Sequence, residues 1–177
     1  MERIEVINFS AIERILKRIA FQIVEDHPDA KNLVIIAVKT GGINIAKRIK
    51  NFLEELYNVK ILYGELDISL YYEDYSKPFY GPIVHSSNIP FSISEKDVII
   101  IDDVMYSGRT GFAAVNALLD VGKPKTVKLV TLVETGEKEL PVKADYVGKF
   151  IEGIPEYRVE VEYDFLKKTG GVYFIKK

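Results

Sequence analysis

The sequence predicts an α/β fold: an open, mostly parallel sheet flanked by helices. Two observations lead there. Leu33-Val34-Ile35-Ile36-Ala37-Val38 and Val98-Ile99-Ile100-Ile101 are short, uninterrupted apolar runs rich in β-branched residues. That is the pattern of strands covered on both faces. Segments of helical period alternate with such runs through most of the chain, the order of parallel βα units.

The elements follow in order. Ser10 with Glu13 three residues later is a capping-box signature and predicts a helix start near Ser10. Ile12, Ile15, Leu16, Ile19, Ile23 and Val24 then form one apolar stripe, while Arg14, Lys17, Arg18 and Gln22 fall off it and read as a solvated face. The first apolar run, between Asn32 and Lys39, is a strand, and Gly41-Gly42 leads into a helical pattern through Ile45, Ile49, Phe52, Leu53 and Leu56. Residues 60–70 read as a further strand containing Gly64. Over 71–94 periodicity disappears: Pro78, Gly81, Pro82 and Pro90 break the chain and tyrosines stud it. A loop of this length is usually functional or disordered. Residues 97–101 form the most apolar strand, ending directly in Asp102-Asp103. A turn then opens a helix through Ala113, Ala114, Ala117, Leu118 and Val121, stopped by Gly122 and Pro124. Residues 126–134 are another strand, and beyond Ala144 short strands are punctuated by Gly148, Gly153, Pro155 and Gly170-Gly171. No repeat or linker interrupts this order, so residues 1–177 are expected to form a single domain.

Composition narrows the chemistry. The 177 residues are 47% hydrophobic and 28% charged, which is globular. A net charge of −2 argues against a generally basic nucleic-acid coat while allowing a local patch. Cysteine is absent, which excludes disulfides, thiolate metal ligands and thiol nucleophiles, and the two histidines, His27 and His85, make a multi-histidine metal centre unexpected. The apolar runs are too short to span a bilayer and Met1-Glu2-Arg3 opens no signal peptide, so a cytoplasmic protein without membrane association is expected.

The string VIIIDDVMYSGRTG, from Val98 to Gly111, carries the chemistry. An apolar strand ending in two carboxylates puts acid where no core needs it. Tyr106-Ser107-Gly108-Arg109-Thr110 then offers hydroxyls, a glycine and successive amides just ahead of a helix, equipment suited to a phosphate monoester. Carboxylates upstream of such a cradle are placed to accept hydrogen bonds from vicinal sugar hydroxyls. A solvated strand-end turn with a helix cap is the simpler alternative for any one piece of the string.

The whole string is similar to the 5-phosphoribosyl 1-pyrophosphate (PRPP) signature of type I phosphoribosyltransferases. Val121-Gly122-Lys123-Pro124, the segment from Glu139 to Lys149, Gly64 to Tyr71, and Ala11-Ile12 through Ala20 resemble one branch of that family, the PyrR-type bifunctional pyrimidine-operon attenuators with uracil phosphoribosyltransferase activity. The resemblance implies a type I phosphoribosyltransferase fold with a small hood and a long flexible loop. It implies that Asp102 and Asp103 hold the ribose hydroxyls, and that Ser107, Gly108, Arg109 and Thr110, with the amides of Tyr106 and Gly111, cradle the 5′-phosphate. Lys39, Thr40, Gly41 and Gly42 match the pyrophosphate loop. Val147 and Lys149 match the hood segment that meets the base through backbone groups. Residues 71–94 match a catalytic lid, with Tyr71 and Tyr72 among its aromatics; an oligomer contact is the alternative use for such a loop. Mg²⁺ is implied as cofactor, held largely by substrate oxygens and water rather than by the protein. Tyr106 stands where purine-specific relatives usually carry Asp, which favours a pyrimidine.

The sequence also departs from the branch. Gly41 and Tyr72 stand where arginines are usual, which removes cations from phosphate oxygens. Thr135, Glu137 and Phe21 replace Arg, His and His in the segments associated with RNA, and Lys138 and Lys143 replace arginines, keeping charge but losing bidentate reach. The expected function is therefore UMP and pyrophosphate formation from uracil and PRPP by a homodimer or higher homo-oligomer. The alternatives are a nucleotide-sensing RNA attenuator with little catalysis and transfer to hypoxanthine or xanthine.

Overall fold

The computed structural model describes residues 2–39, 41–69 and 87–177. Its elements are β1 (Arg3–Asn8), α1 (Phe9–Asp26), β2 (Leu33–Val38), α2 (Gly42–Tyr57), β3 (Leu62–Leu66), β4 (Asp97–Met105), α3 (Arg109–Val121), β5 (Thr126–Thr135), β6 (Tyr146–Ile151), β7 (Tyr157–Asp164) and β8 (Thr169–Lys176). Five strands form a parallel sheet in the order β3-β2-β4-β5-β6, and β1, β8 and β7 form a separate antiparallel sheet.

The parallel sheet is covered on both faces, and the two apolar runs show how. On β2, Leu33, Ile35 and Ala37 enter one core cluster while Val34, Ile36 and Val38 enter the other. Ile99 and Ile101 on β4 go to the first cluster, Val98 and Ile100 to the second. Alternation of period two delivers every side chain to an apolar environment, which is why neither run contains a polar residue. The first cluster is closed by α1, α2 and the antiparallel sheet, the second by α3.

Several boundaries differ from the sequence expectation. Helix α1 starts at Phe9 with Asn8 as its cap: the Ala11 amide donates to Asn8 Oδ1 at 2.9 Å. Ser10 is thus already helical. Glu13 makes no capping box, because its carboxylate is taken by the Arg48 guanidinium of α2 at 2.6 Å and by the Tyr163 hydroxyl of β7. Strand β3 covers only 62–66 of the expected 60–70. Strand β4 runs four residues past Ile101, so Asp102 and Asp103 lie within the strand rather than after it. β1 was not expected at all. Its side chains are mostly exposed, Ile7 alone being buried, so it carries little apolar signal of its own and owes its place to pairing with β8. Thr40, His85, Tyr71, Tyr72 and the rest of residues 70–86 lie outside the described residues. The flanks of that segment approach each other, with Glu65 and Asn88 exchanging backbone bonds of 2.9 and 2.7 Å. Among the described residues no helix is long and apolar enough to cross a membrane.

Candidate active site

The register of the parallel sheet aligns its site-bearing residues. Asp102 pairs with Thr131 on β5, and Thr131 with Val147 on β6, so these three form one row across the sheet. Strand spacing puts Val147 about 10 Å from Asp102. The next row on the same side joins Val104, Val133 and Lys149.

Asp102 and Asp103 are half-buried side by side. Each carboxylate accepts the amide of the following residue: Asp103 N donates to Asp102 Oδ1 at 2.9 Å and Val104 N to Asp103 Oδ1 at 2.8 Å. Burial pushes the Asp102 carboxyl well above the usual carboxylate range, and the adjacent Asp103 charge adds to the shift. Burial likewise raises Asp103, opposed by its hydrogen bond from Val104. A divalent cation or a set of sugar hydroxyls is the kind of ligand that would relieve such a pair.

The loop after β2 lies directly against these acids. A Cβ on Gly41 would stand 2.2 Å from Asp103 Oδ2, and one on Gly42 would stand 2.3 Å from the Ile101 carbonyl oxygen. Gly42, buried as the first residue of α2, therefore lets the helix start touch the backbone of β4. Lys39 is anchored by its amide, which donates to Leu66 O at 3.0 Å.

On the other side of the acids, the turn after β4 leads into α3. Gly108 occupies its N-cap with φ +87°, a left-handed conformation glycine adopts without strain. The carbonyl of Ser107 accepts both Glu139 N and Leu140 N at 3.0 Å, and the Arg109 amide lies 3.3 Å from Ser107 Oγ. Thr110 and Gly111 complete the first turn of α3, with Gly111 buried against Met105 and Val142. The Arg109 guanidinium points out of the cradle to an ion pair of 2.6 Å with Glu139. The Tyr106 hydroxyl donates to the Val159 carbonyl of β7, and its burial pushes it up to about 12.

Some of these participants were not read from sequence. Thr131 is fully buried between the apolar pairs Leu129-Val130 and Leu132-Val133 of β5, its Oγ1 2.8 Å from Val133 O and 3.2 Å from Asp103 O. A hydroxyl inside a buried run was the available signal. Glu139 as the partner of Arg109 had none, since thirty residues separate them. Arg18, read as solvated, donates to the Gly148 carbonyl and lies 3.4 Å from that of Val147.

Residues 5–165 match the phosphoribosyl transferase domain. The chain belongs to this family. Similar relatives include the "Bifunctional protein PyrR" of Deinococcus radiodurans, 41% identical over 97% of this chain and 92% of that protein, and its namesake in Clostridioides difficile, 38% identical over 91% and 89%. These place the phosphoribosyltransferase in the PyrR-type branch. Among solved structures, a Staphylococcus aureus hypoxanthine phosphoribosyltransferase superposes with TM-score 0.71 at 22% identity, covering 98% of this chain and 92% of its own. A hypoxanthine-guanine-xanthine phosphoribosyltransferase gives 0.67 at 20% identity over 98% and 94%. At that identity the likeness is one of fold.

Proposed function

We propose that this phosphoribosyltransferase makes UMP and pyrophosphate from uracil and PRPP. The observation that carries the reading is the carboxylate pair near the end of β4, both raised by burial and Asp102 also by the Asp103 charge, with a phosphate-type cradle opening directly after it at the start of α3. The relatives of about 40% identity, whose name marks them as bifunctional PyrR proteins, support the pyrimidine assignment.

In this reading Asp102 and Asp103 accept hydrogen bonds from the ribose 2′- and 3′-hydroxyls. Ser107, Gly108, Thr110 and the amides of Tyr106, Arg109 and Gly111 hold the 5′-phosphate at the positive end of α3. Lys39, Thr40, Gly41 and Gly42 face the pyrophosphate, and backbone groups of Val147 and Lys149 face the base. A C1′–N1 bond forms as the C1′–O bond to pyrophosphate breaks, the electron pair leaves on pyrophosphate, and the N1 proton is lost. The protein's contribution is positioning and electrostatics, with no protein nucleophile. Bound Mg²⁺ would supply positive charge to the pyrophosphate oxygens. Asp102 and Asp103 are hard oxygen donors of the type it takes. By its own coordination preference Mg²⁺ would keep substrate and water oxygens as most of its ligands.

Incubation with PRPP, Mg²⁺ and a panel of bases tests the reading. UMP and pyrophosphate from uracil are expected; a nucleotide from hypoxanthine or xanthine alone, or none, overturns it. The same material on a light-scattering column tests assembly as a homodimer or higher homo-oligomer.

The word bifunctional in the relatives' name favours a second reading, an RNA-binding regulator. Against its primacy, Lys138 is ion-paired with Glu134 and Arg109 with Glu139, so two cations near the segment associated with RNA already have anionic partners. UMP-enhanced binding to a pyrimidine-leader hairpin, lost on scrambling its loop, would make regulation primary.

A further inference from the structure

We infer that Arg18 is a positioning residue for the base: from α1 its guanidinium holds the β6 backbone at the Val147 and Gly148 carbonyls, within the stretch whose backbone meets the base. The inference rests on the base site proposed above and concerns a residue outside it.

Four observations carry it. Among the described residues β6 is the edge of the parallel sheet with β5 as its one neighbour strand, so one side of its backbone has no strand partner there. Arg18 Nη2 takes that place, donating to Gly148 O with Val147 O 3.4 Å away, while Nη1 is steadied by Gln22 Oε1 at 3.2 Å. Successive carbonyls of an extended strand point to opposite edges. Arg18 Nη2 nonetheless reaches those of both Val147 and Gly148, and the register with β5 runs unbroken past them: Val147 pairs with Thr131 and Lys149 with Val133. Gly148 leaves no slack. A Cβ there would lie 2.3 Å from Leu132 O and 2.7 Å from Ile15 Cγ2, so the backbone is drawn tight between β5 and α1.

Holding these carbonyls sets which way the peptide groups on either side of Gly148 face. Val147 shares a row with Asp102, so a ribose held at the acids puts its base toward this stretch. Arginine suits the task because its planar fork stays charged and engages two acceptors at once, whereas an ammonium is a single point charge.

The test compares ligands with and without a base. Affinities for UMP, IMP and PRPP are measured by calorimetry in the presence of Mg²⁺ for the wild type, Arg18→Gln, Arg18→Lys and, as a neighbouring cation on the same helix, Arg14→Gln. Arg18→Gln is expected to weaken UMP about tenfold, the loss of one charge-assisted hydrogen bond. PRPP, which has no base, should stay within about twofold, and steady-state kinetics should show a raised KM for uracil at unchanged kcat. Arg18→Lys should recover part of the loss, and Arg14→Gln should match wild type. Thermal melting identifies a variant that fails to fold, in which case Arg18→Lys alone decides, by weakening UMP and sparing PRPP. Equal loss of UMP and PRPP, or no loss of UMP, overturns the inference. If wild type binds IMP and not UMP, the uracil reading fails and the Arg18 comparison is read on IMP. If it binds none of the three, both fall.

Discussion

The two ends of the parallel sheet treat their carboxylates in opposite ways. At the end where β5 and β6 begin, Asp26 accepts the Lys128 ammonium at 2.8 Å and the Tyr146 hydroxyl at 2.6 Å, and these partners hold it below the usual carboxylate range. At the end where β4 finishes, the neighbouring charge acting on Asp102 is that of Asp103, and both rise. The first arrangement is complete within the chain. The second is electrostatically unfinished, which is how a site that takes its counter-charge or hydrogen-bond donors from a ligand is expected to stand without it. The sheet itself is the same at both ends, so the difference lies in which side chains the helices bring. Asp26 closes α1 beside Lys128, whereas the start of α2 brings Gly41 to Asp103 and Gly42 to the Ile101 carbonyl.

The strongest way to break this comparison is to neutralise the unfinished end. Asp102→Asn with Asp103→Asn should lower transfer by about a hundredfold or more, because the ribose loses its acceptors and C1′ its placement. The melting temperature at pH 7 should hold or rise, since two ionised groups no longer have to be kept from water. Product assays and circular dichroism read the two quantities separately. Full activity would remove the ribose-binding assignment, and a collapse of stability would make the pair structural.

The glycines offer the next test. Gly42→Ala would press a methyl group onto the Ile101 carbonyl, which is backbone and fixed within β4, so a loss of about 1–3 kcal/mol is expected in denaturant melts. Gly41 meets a side chain instead. Gly41→Arg, which supplies the cation common in this branch, forces Asp103 out of the position in which it accepts the Val104 amide. Its expected outcome is no gain in PRPP affinity, measured by calorimetry. A clear gain would show that Asp103 gives way at little cost.

Acid titration separates the two ends by sign. A carboxyl raised in the folded state holds its proton more tightly there than in the unfolded chain. Asp102 and Asp103 therefore favour folding at low pH, and that contribution is lost as pH rises from the ordinary carboxylate range toward their raised values. Asp26, being lowered, stabilises above the ordinary range and loses this as pH falls through its depressed value. Relative to wild type, the Asp102→Asn, Asp103→Asn chain should gain least in melting temperature at acid pH and most near neutrality, and Asp26→Asn should lose most near neutrality. Parallel curves for the three proteins would erase the distinction between the ends.

The central strands and the acid-bearing string were legible because both are local. Leu33–Val38 and the β4 run announce themselves by continuous apolar character, and Asp102-Asp103 stand out only against such a background. What escaped was distributed over distant residues. Glu13 looked like half of a capping box, but Arg48 and Tyr163, far along the chain, outcompete the helix amides for its carboxylate. Arg18 looked solvated because its acceptors are backbone carbonyls, which no side-chain pattern reveals. β1 carries a single buried residue, and its partner β8 lies at the far end of the sequence, so β1 and its pairing were invisible to periodicity although short strands were read beyond Ala144.

Tyr106 links the unfinished end to that sheet, and its replacement should have the smallest effect. The ring packs against the core beneath the antiparallel sheet, and the hydroxyl donates to the Val159 carbonyl. Tyr106→Phe keeps the ring and deletes the donor, leaving a carbonyl beside a site that water can reach. A stability loss of about 1 kcal/mol is expected in urea melts. Base preference should not move, because the hydroxyl is already spent on β7 and has nothing left to offer a base. Tyr106→Asp is the informative counterpart. It removes the ring from the core and adds a third acid beside Asp102 and Asp103, so uracil use should fall even where purine use improves. If Tyr106→Phe by itself changes the ratio of uracil to hypoxanthine transfer, the hydroxyl reads the base, and its bond to Val159 must break when substrate binds.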